Sequence, residues 1–110
     1  MHEYAVAQRV AETAAAYANG ARVAKISLVI GESAGIAGES IRMLFDAITE
    51  GGPCEGAEIE IETIAPKLRC GSCGELFIRK PFSFRCACGG EGAPTEIGRE
   101  FIIRRIEVMA

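Results

Sequence analysis

The chain has no tryptophan, and only 6% of its 110 residues are aromatic. Its core must therefore be built from aliphatic side chains. It has one histidine, at position 2. With no second histidine, the chain can neither pair an imidazole with a cysteine nucleophile nor complete a catalytic zinc site of the usual histidine-bearing types. Acidic residues are plentiful, but none gather into a catalytic pair, so the chain reads as a non-enzyme. No apolar run approaches the ~20 residues that span a bilayer. Nor is there a basic excess: net charge is −3, which leaves no electrostatic footprint for nucleic acid or an anionic membrane. The alanine-rich stretch from Tyr4 to Tyr17 lacks a basic leader and carries Arg9 and Glu12, so it is no secretion signal. The expected location is the cytoplasm, where close cysteine pairs more often mean metal than disulfide.

What is present suits one compact domain, 49% hydrophobic and 25% charged. Val6, Val10, Ala14 and Tyr17 recur at helical spacing, and Asn19-Gly20 supplies a stop. Arg22 to Ile30 reads as a strand with Ala24, Ile26, Leu28 and Ile30 on one face and Lys25 and Ser27 on the other. After a loop holding Gly31, Gly35 and Gly38, the stripe Ile41, Leu44, Phe45, Ile48 marks a second helix from about Glu39 to Glu50. Glu58 to Ile64 alternates acid with isoleucine, the pattern of a strand with one wet face. A stretch rich in cysteine, glycine, proline and basic residues follows, and an isoleucine-rich strand from Glu100 to Val108 comes last. The expected fold is α+β: two helices packed on a three-stranded sheet, with a four-cysteine zinc-ribbon lobe inserted before the last strand. Residues 1–65 and 96–110 would form the α/β domain, and residues 66–95 the lobe.

Cys70-Gly-Ser-Cys73 and Cys86-Ala-Cys88 form two close pairs, twelve residues apart. A lobe of about 30 residues buries too little apolar surface to fold unaided, and four thiolates around Zn²⁺ would staple it while leaving no open coordination position. Gly71, Gly74, Gly89 and Gly90 permit the tight turns that aim amides at sulfur. Other arrangements of the same residues are a disulfide, a redox dithiol at Cys70 and Cys73, a site with a different fourth ligand, or iron on four thiolates. Cys54, beside Pro53, reads as a free thiol.

Met1-His2-Glu3 sets an amine, an imidazole and a carboxylate side by side. Nickel(II) and copper(II) favour nitrogen-rich, square-planar coordination. The amine, an adjacent backbone amide and the His2 imidazole can close fused chelate rings around such an ion. The Glu3 amide could complete the plane, with its carboxylate outside it. The same residues also suit a plain frayed terminus, with Glu3 favouring the start of a helix.

Several segments together resemble the HypA/HybF family of nickel metallochaperones for [NiFe]-hydrogenase maturation. They are Met1-His2-Glu3, Leu28-Val-Ile-Gly-Glu32, Glu55-Gly-Ala-Glu-Ile-Glu60, the two cysteine knuckles, Gly98-Arg-Glu and the final Ile106-Glu-Val108. The resemblance runs end to end and in order. It implies transient Ni²⁺ held by Met1, His2 and Glu3, and structural Zn²⁺ held by Cys70, Cys73, Cys86 and Cys88. It also implies, as partners, the maturation GTPase of the hydrogenase pathway and the hydrogenase large-subunit precursor, with service to urease in some members. The protein would be a monomer or homodimer. Two features depart from the family pattern. Tyr4-Ala5-Val6 follows the triplet where Leu-Ser-Ile is commoner, and the C-x-C knuckle is one residue shorter than the usual C-x₂-C, which bears on zinc geometry.

A different reading makes the chain a zinc-ribbon adaptor for protein or nucleic acid. Lys67, Arg69, Arg79, Lys80 and Arg85 are interleaved with Phe77, Phe82 and Phe84, a pattern compatible with single-stranded nucleic acid. The acidic strand and the negative total charge oppose that partner, so the basic, aromatic segment better suits a protein contact.

Overall fold

The computed structural model describes residues 2–80 and 82–109, His2 by its backbone alone. Eight elements follow in order: α1 (His2–Ala18), β1 (Val23–Gly31), α2 (Gly38–Ile48), β2 (Glu58–Ile64), β3 (Lys67–Cys70), β4 (Leu76–Ile78), β5 (Gly92–Pro94) and β6 (Phe101–Val108). The fold is α+β, with two three-stranded sheets ordered β2-β1-β6 and β4-β3-β5. Among the described residues no helix is long and apolar enough to cross a membrane.

The chain divides into two compact units. The first holds residues up to Val29, Ile36–Glu62 and the C-terminal stretch from Ile102; the second holds Ile30–Gly35 and Thr63–Phe101. In the first unit Ala7, Val10 and Ala14 of α1, Ile41 and Phe45 of α2, Val23, Ile26 and Leu28 of β1, and Ile59 of β2 are buried. Each of the larger side chains contributes about 1.5–3 kcal/mol by leaving water. The buried stripe on α1 therefore runs through Ala7, Val10 and Ala14. Tyr17, expected on that stripe, is 72% exposed. The stripe on α2 is as expected, with Ile41 and Phe45 fully buried and Leu44 and Ile48 half-buried.

β1 departs from simple alternation because it is the centre strand of its sheet, and its residues from Ile26 onward are all buried. Ser27, expected to face water, lies under Glu60 of β2. One Glu60 oxygen accepts from the Ser27 hydroxyl at 3.3 Å, and the other pairs with Lys25 at 3.2 Å. On β2 the acids stay wet and Ile59 goes inward, as the alternation requires.

The second unit contains no helix among its described elements. Its centre strand, β3, pairs antiparallel with β4, Leu68 facing Phe77, and with β5, Cys70 facing Gly92. Among its described residues the buried apolar ones are Ile30, Leu68 and Cys70.

Candidate metal centre

β3 delivers Cys70 as its last residue, and the turn between β3 and β4 carries Cys73. The second knuckle sits between β4 and β5, where an isolated bridge joins Arg85 to Glu91. Sequence-distant cysteines thereby converge: the sulfurs of Cys70, Cys73, Cys86 and Cys88 all lie within 4.8 Å of one another. Cys70 and Cys88 are 3.4 Å apart and Cys73 and Cys86 3.7 Å, and all four are free thiols. Zinc–sulfur bonds of about 2.3 Å at tetrahedral angles separate sulfurs by about 3.8 Å. The donor set thus fits a tetrahedral thiolate site, and the disulfide arrangement is absent.

The first knuckle is built around sulfur-directed amides. Ser72 and Cys73 donate N–H groups to the Cys70 sulfur at 3.3 and 3.4 Å. Its turn closes with Gly74 N–H on the Cys70 carbonyl at 3.0 Å, and Gly74 takes φ +77°, a conformation that penalises any side chain. The shorter C-x-C knuckle turns differently: Gly89 N–H donates to the Cys86 carbonyl at 2.9 Å, and Cys86 N–H to the Gly90 carbonyl at 2.8 Å. A Cβ on Gly90 would strike the Cys70 sulfur and Ser72, so glycine there lets the two knuckles close on each other. Gly71 has neither constraint, and its expected role is not met in the same way.

Four crowded sulfurs cannot all ionise without a cation. The amides of Cys73 and Ser72 draw the Cys70 thiol down to about 6. Cys73 is pushed up to about 12: the Glu75 amide pulls it down, but desolvation and the neighbouring sulfurs of Cys88, Cys70 and Cys86 outweigh it. A bound dication reverses that logic and keeps coordinating thiols deprotonated. The cluster is therefore arranged for a metal rather than for four independent thiols.

Cys54 lies elsewhere, 2% exposed, its thiol directed at the Ala11 carbonyl at 3.6 Å. Burial raises its pKa, which makes it unreactive. In the native, metal-loaded protein Ellman's reagent is expected to find no fast thiol. Chelator plus denaturant is expected to release all five. A fast-reacting Cys54 in the native state would contradict its burial.

Of the N-terminal triplet, Met1 and the His2 side chain lie outside the described residues. Glu3 is placed: its carboxylate accepts a hydrogen bond from the Ala37 amide at 3.4 Å. Ala37 is the N-cap of α2 and brings no side-chain cap of its own, a poor residue for that position. Glu3, 34 residues away, does not replace that cap; it accepts from the N-cap residue's own amide, the bond that the acid of a capping box makes. No local pattern signals this contact.

Residues 1–108 match the family model described as hydrogenase/urease nickel incorporation, metallochaperone, hypA. The hydrogenase maturation factor HypA of Caldanaerobacter subterraneus is 38% identical, covering 98% of this chain and 99% of its own. That of Nostoc punctiforme is 37% identical, with 98% and 96% covered, and that of Geobacter sulfurreducens 33%, with 98% and 99%. Two solution structures share the fold. One, of a HypA protein, has a TM-score of 0.70 at 22% identity, covering 99% of this chain and 97% of that one. The other, of the Ni metallochaperone HypA from Helicobacter pylori, has a TM-score of 0.64 at 21% identity, covering 98% and 97%.

Proposed function

The chain belongs to the HypA family of hydrogenase/urease nickel-incorporation metallochaperones, and from that premise we propose that it carries Ni(II) on its first three residues and hands it to an enzyme under maturation. The Met1 amine, the His2 backbone nitrogen and the His2 imidazole form the chelate. The observation that carries this reading is the family match, which includes the triplet itself. Because the Glu3 carboxylate already holds the Ala37 amide, the donor expected from Glu3 is its backbone nitrogen, and its side chain anchors the chelating segment to the start of α2.

In this reading Cys70, Cys73, Cys86 and Cys88 hold Zn²⁺ as a structural ion, because four protein sulfurs leave no position for exchange chemistry. The nickel site is open and the zinc site closed, which suits a cargo that leaves and a staple that stays. The protein performs no catalysis of its own. Its partners are the maturation GTPase and the hydrogenase large-subunit precursor, with urease as a second client, and it works in the cytoplasm.

The test is metal content by mass spectrometry after nickel loading and desalting of untagged protein. One zinc and one nickel per chain are expected. Zinc alone would overturn the nickel role.

A further inference from the structure

The second unit carries a hollow that the metal sites do not use. Residues 67–85 hold five of the chain's 12 Lys and Arg but only one of its 15 Asp and Glu, so positive charge is concentrated here in a chain of net negative charge. Lys67, Arg79 and Arg99 line a hollow of about 210 Å³ whose walls include Pro66, Pro94 and Phe84, and no carboxylate lines it. Among the described residues neither Lys67 nor Arg79 has a carboxylate partner. Arg99 reaches Glu96 only at 4.0 Å, with both side chains exposed, a pairing that contributes little.

Arg79 is pre-set for recognition. Its guanidinium carbon stands 4.5 Å from the centroid of the Phe84 ring. A guanidinium stacked by one face on an aromatic ring keeps its N–H edge free for a bidentate carboxylate. The Thr95 hydroxyl is already committed, donating to the Lys67 carbonyl at 2.7 Å and accepting from the Ile97 amide at 3.1 Å. The cations are thus the hollow's main free donors. A neighbouring hollow shares Pro66 and Arg79 but is lined by Glu32, whose charge repels an acid, so an acidic ligand belongs in the first. In the same unit Ile78 and Phe82 are 59% and 101% exposed, apolar surface of the kind that marks interaction sites.

We propose that this hollow docks an extended acidic segment of a partner protein, with one carboxylate on the Arg79 fork between Lys67 and Arg99 and an adjacent apolar side chain against Phe84. Size favours a side chain over an enclosed small molecule, whose pockets run from about 300 to 1,000 Å³. Phosphate is disfavoured because its usual holders are helix N-termini and runs of backbone N–H groups. Among its described residues the unit has no helix, and two of the wall residues are prolines, which have no N–H. The inference does not rest on the nickel reading.

Fluorescence anisotropy of a labelled six-residue peptide alternating Glu and Leu, titrated with the full-length zinc-loaded protein, tests it. Arg79→Gln and Lys67→Gln are each expected to weaken binding about tenfold, the scale of one charge-assisted hydrogen bond. Replacing every Glu of the peptide by Gln should weaken binding at least as much. If Arg79→Gln loses its zinc, Arg79→Lys takes its place, keeping the charge without the fork, with about a threefold loss expected. Three results would overturn the proposal: no binding of the acidic peptide, binding unmoved by these substitutions, or tighter binding of a short oligothymidylate or inorganic phosphate at the same residues.

Discussion

Removing the zinc proposed for the four cysteines, or replacing Cys70 by serine, is expected to unfold the second unit while the first keeps its helices. Among its described residues the second unit buries only the apolar side chains of Ile30, Leu68 and Cys70, and its own sheet is made of strands of three or four residues. Short strands with so small a core do not offset the backbone entropy of ordering, about 1–2 kcal/mol per residue. A structural zinc contributes on the order of 10–16 kcal/mol in small zinc-dependent folds, far more than those three side chains supply by leaving water. Cys70 is the most consequential of the four proposed ligands, being buried, receiving the Ser72 and Cys73 amides and packing where Gly90 makes room. Cys88 is exposed, so serine there is expected to cost less.

Two spectra separate the outcomes. Far-UV circular dichroism should retain most of the helical signal after chelation, because α1 and α2 belong to the first unit with its own core of Val10, Ile26, Ile41 and Phe45. Amide resonances of residues 67–94 should collapse toward random-coil positions in the same sample. A metal-free protein with those resonances still dispersed would show that the lobe folds without its staple. Cys54→Ser is the control, since its thiol is not one of the four clustered sulfurs.

Much of this was legible in the sequence, for physical reasons that differ by element. Asn19 and Gly20 take positive φ where α1 ends, and the Ile/Glu alternation of β2 maps directly onto inside and outside. The knuckle spacing was enough to bring four sulfurs together. Contacts set by tertiary reach were not legible. Glu60 covers Ser27 because β2 lies beside β1, and no periodicity in β1 reports its neighbour. β3, β4 and β5 leave no signal in the sequence, because three or four residues of mixed composition carry no period. Tyr17 fell on a helical stripe by spacing but off the buried one, since the small side chains of Ala7 and Ala14 define where α1 packs.

His2→Ala is expected to abolish nickel binding while leaving zinc content and fold unchanged. His2 is the only imidazole in the chain, so no other residue can replace that nitrogen, and its loss opens one ring of the fused chelate. Acetylation of Met1, or a tag placed before it, removes the amine and should weaken nickel binding in the same direction. The pH dependence follows from the free groups: both nitrogens bind metal only when deprotonated, and their ordinary pKa values are about 8 for the amine and 6.5 for the imidazole. Nickel affinity is therefore expected to fall steadily as pH drops through that range. Glu3→Gln separates the two parts of the triplet. It keeps the backbone nitrogen but weakens the acceptor for the Ala37 amide, so it should lower nickel affinity by less than His2→Ala does. Calorimetric titration of wild type and the three altered proteins decides the matter, and equal nickel affinity in His2→Ala would remove the chelate from the first three residues.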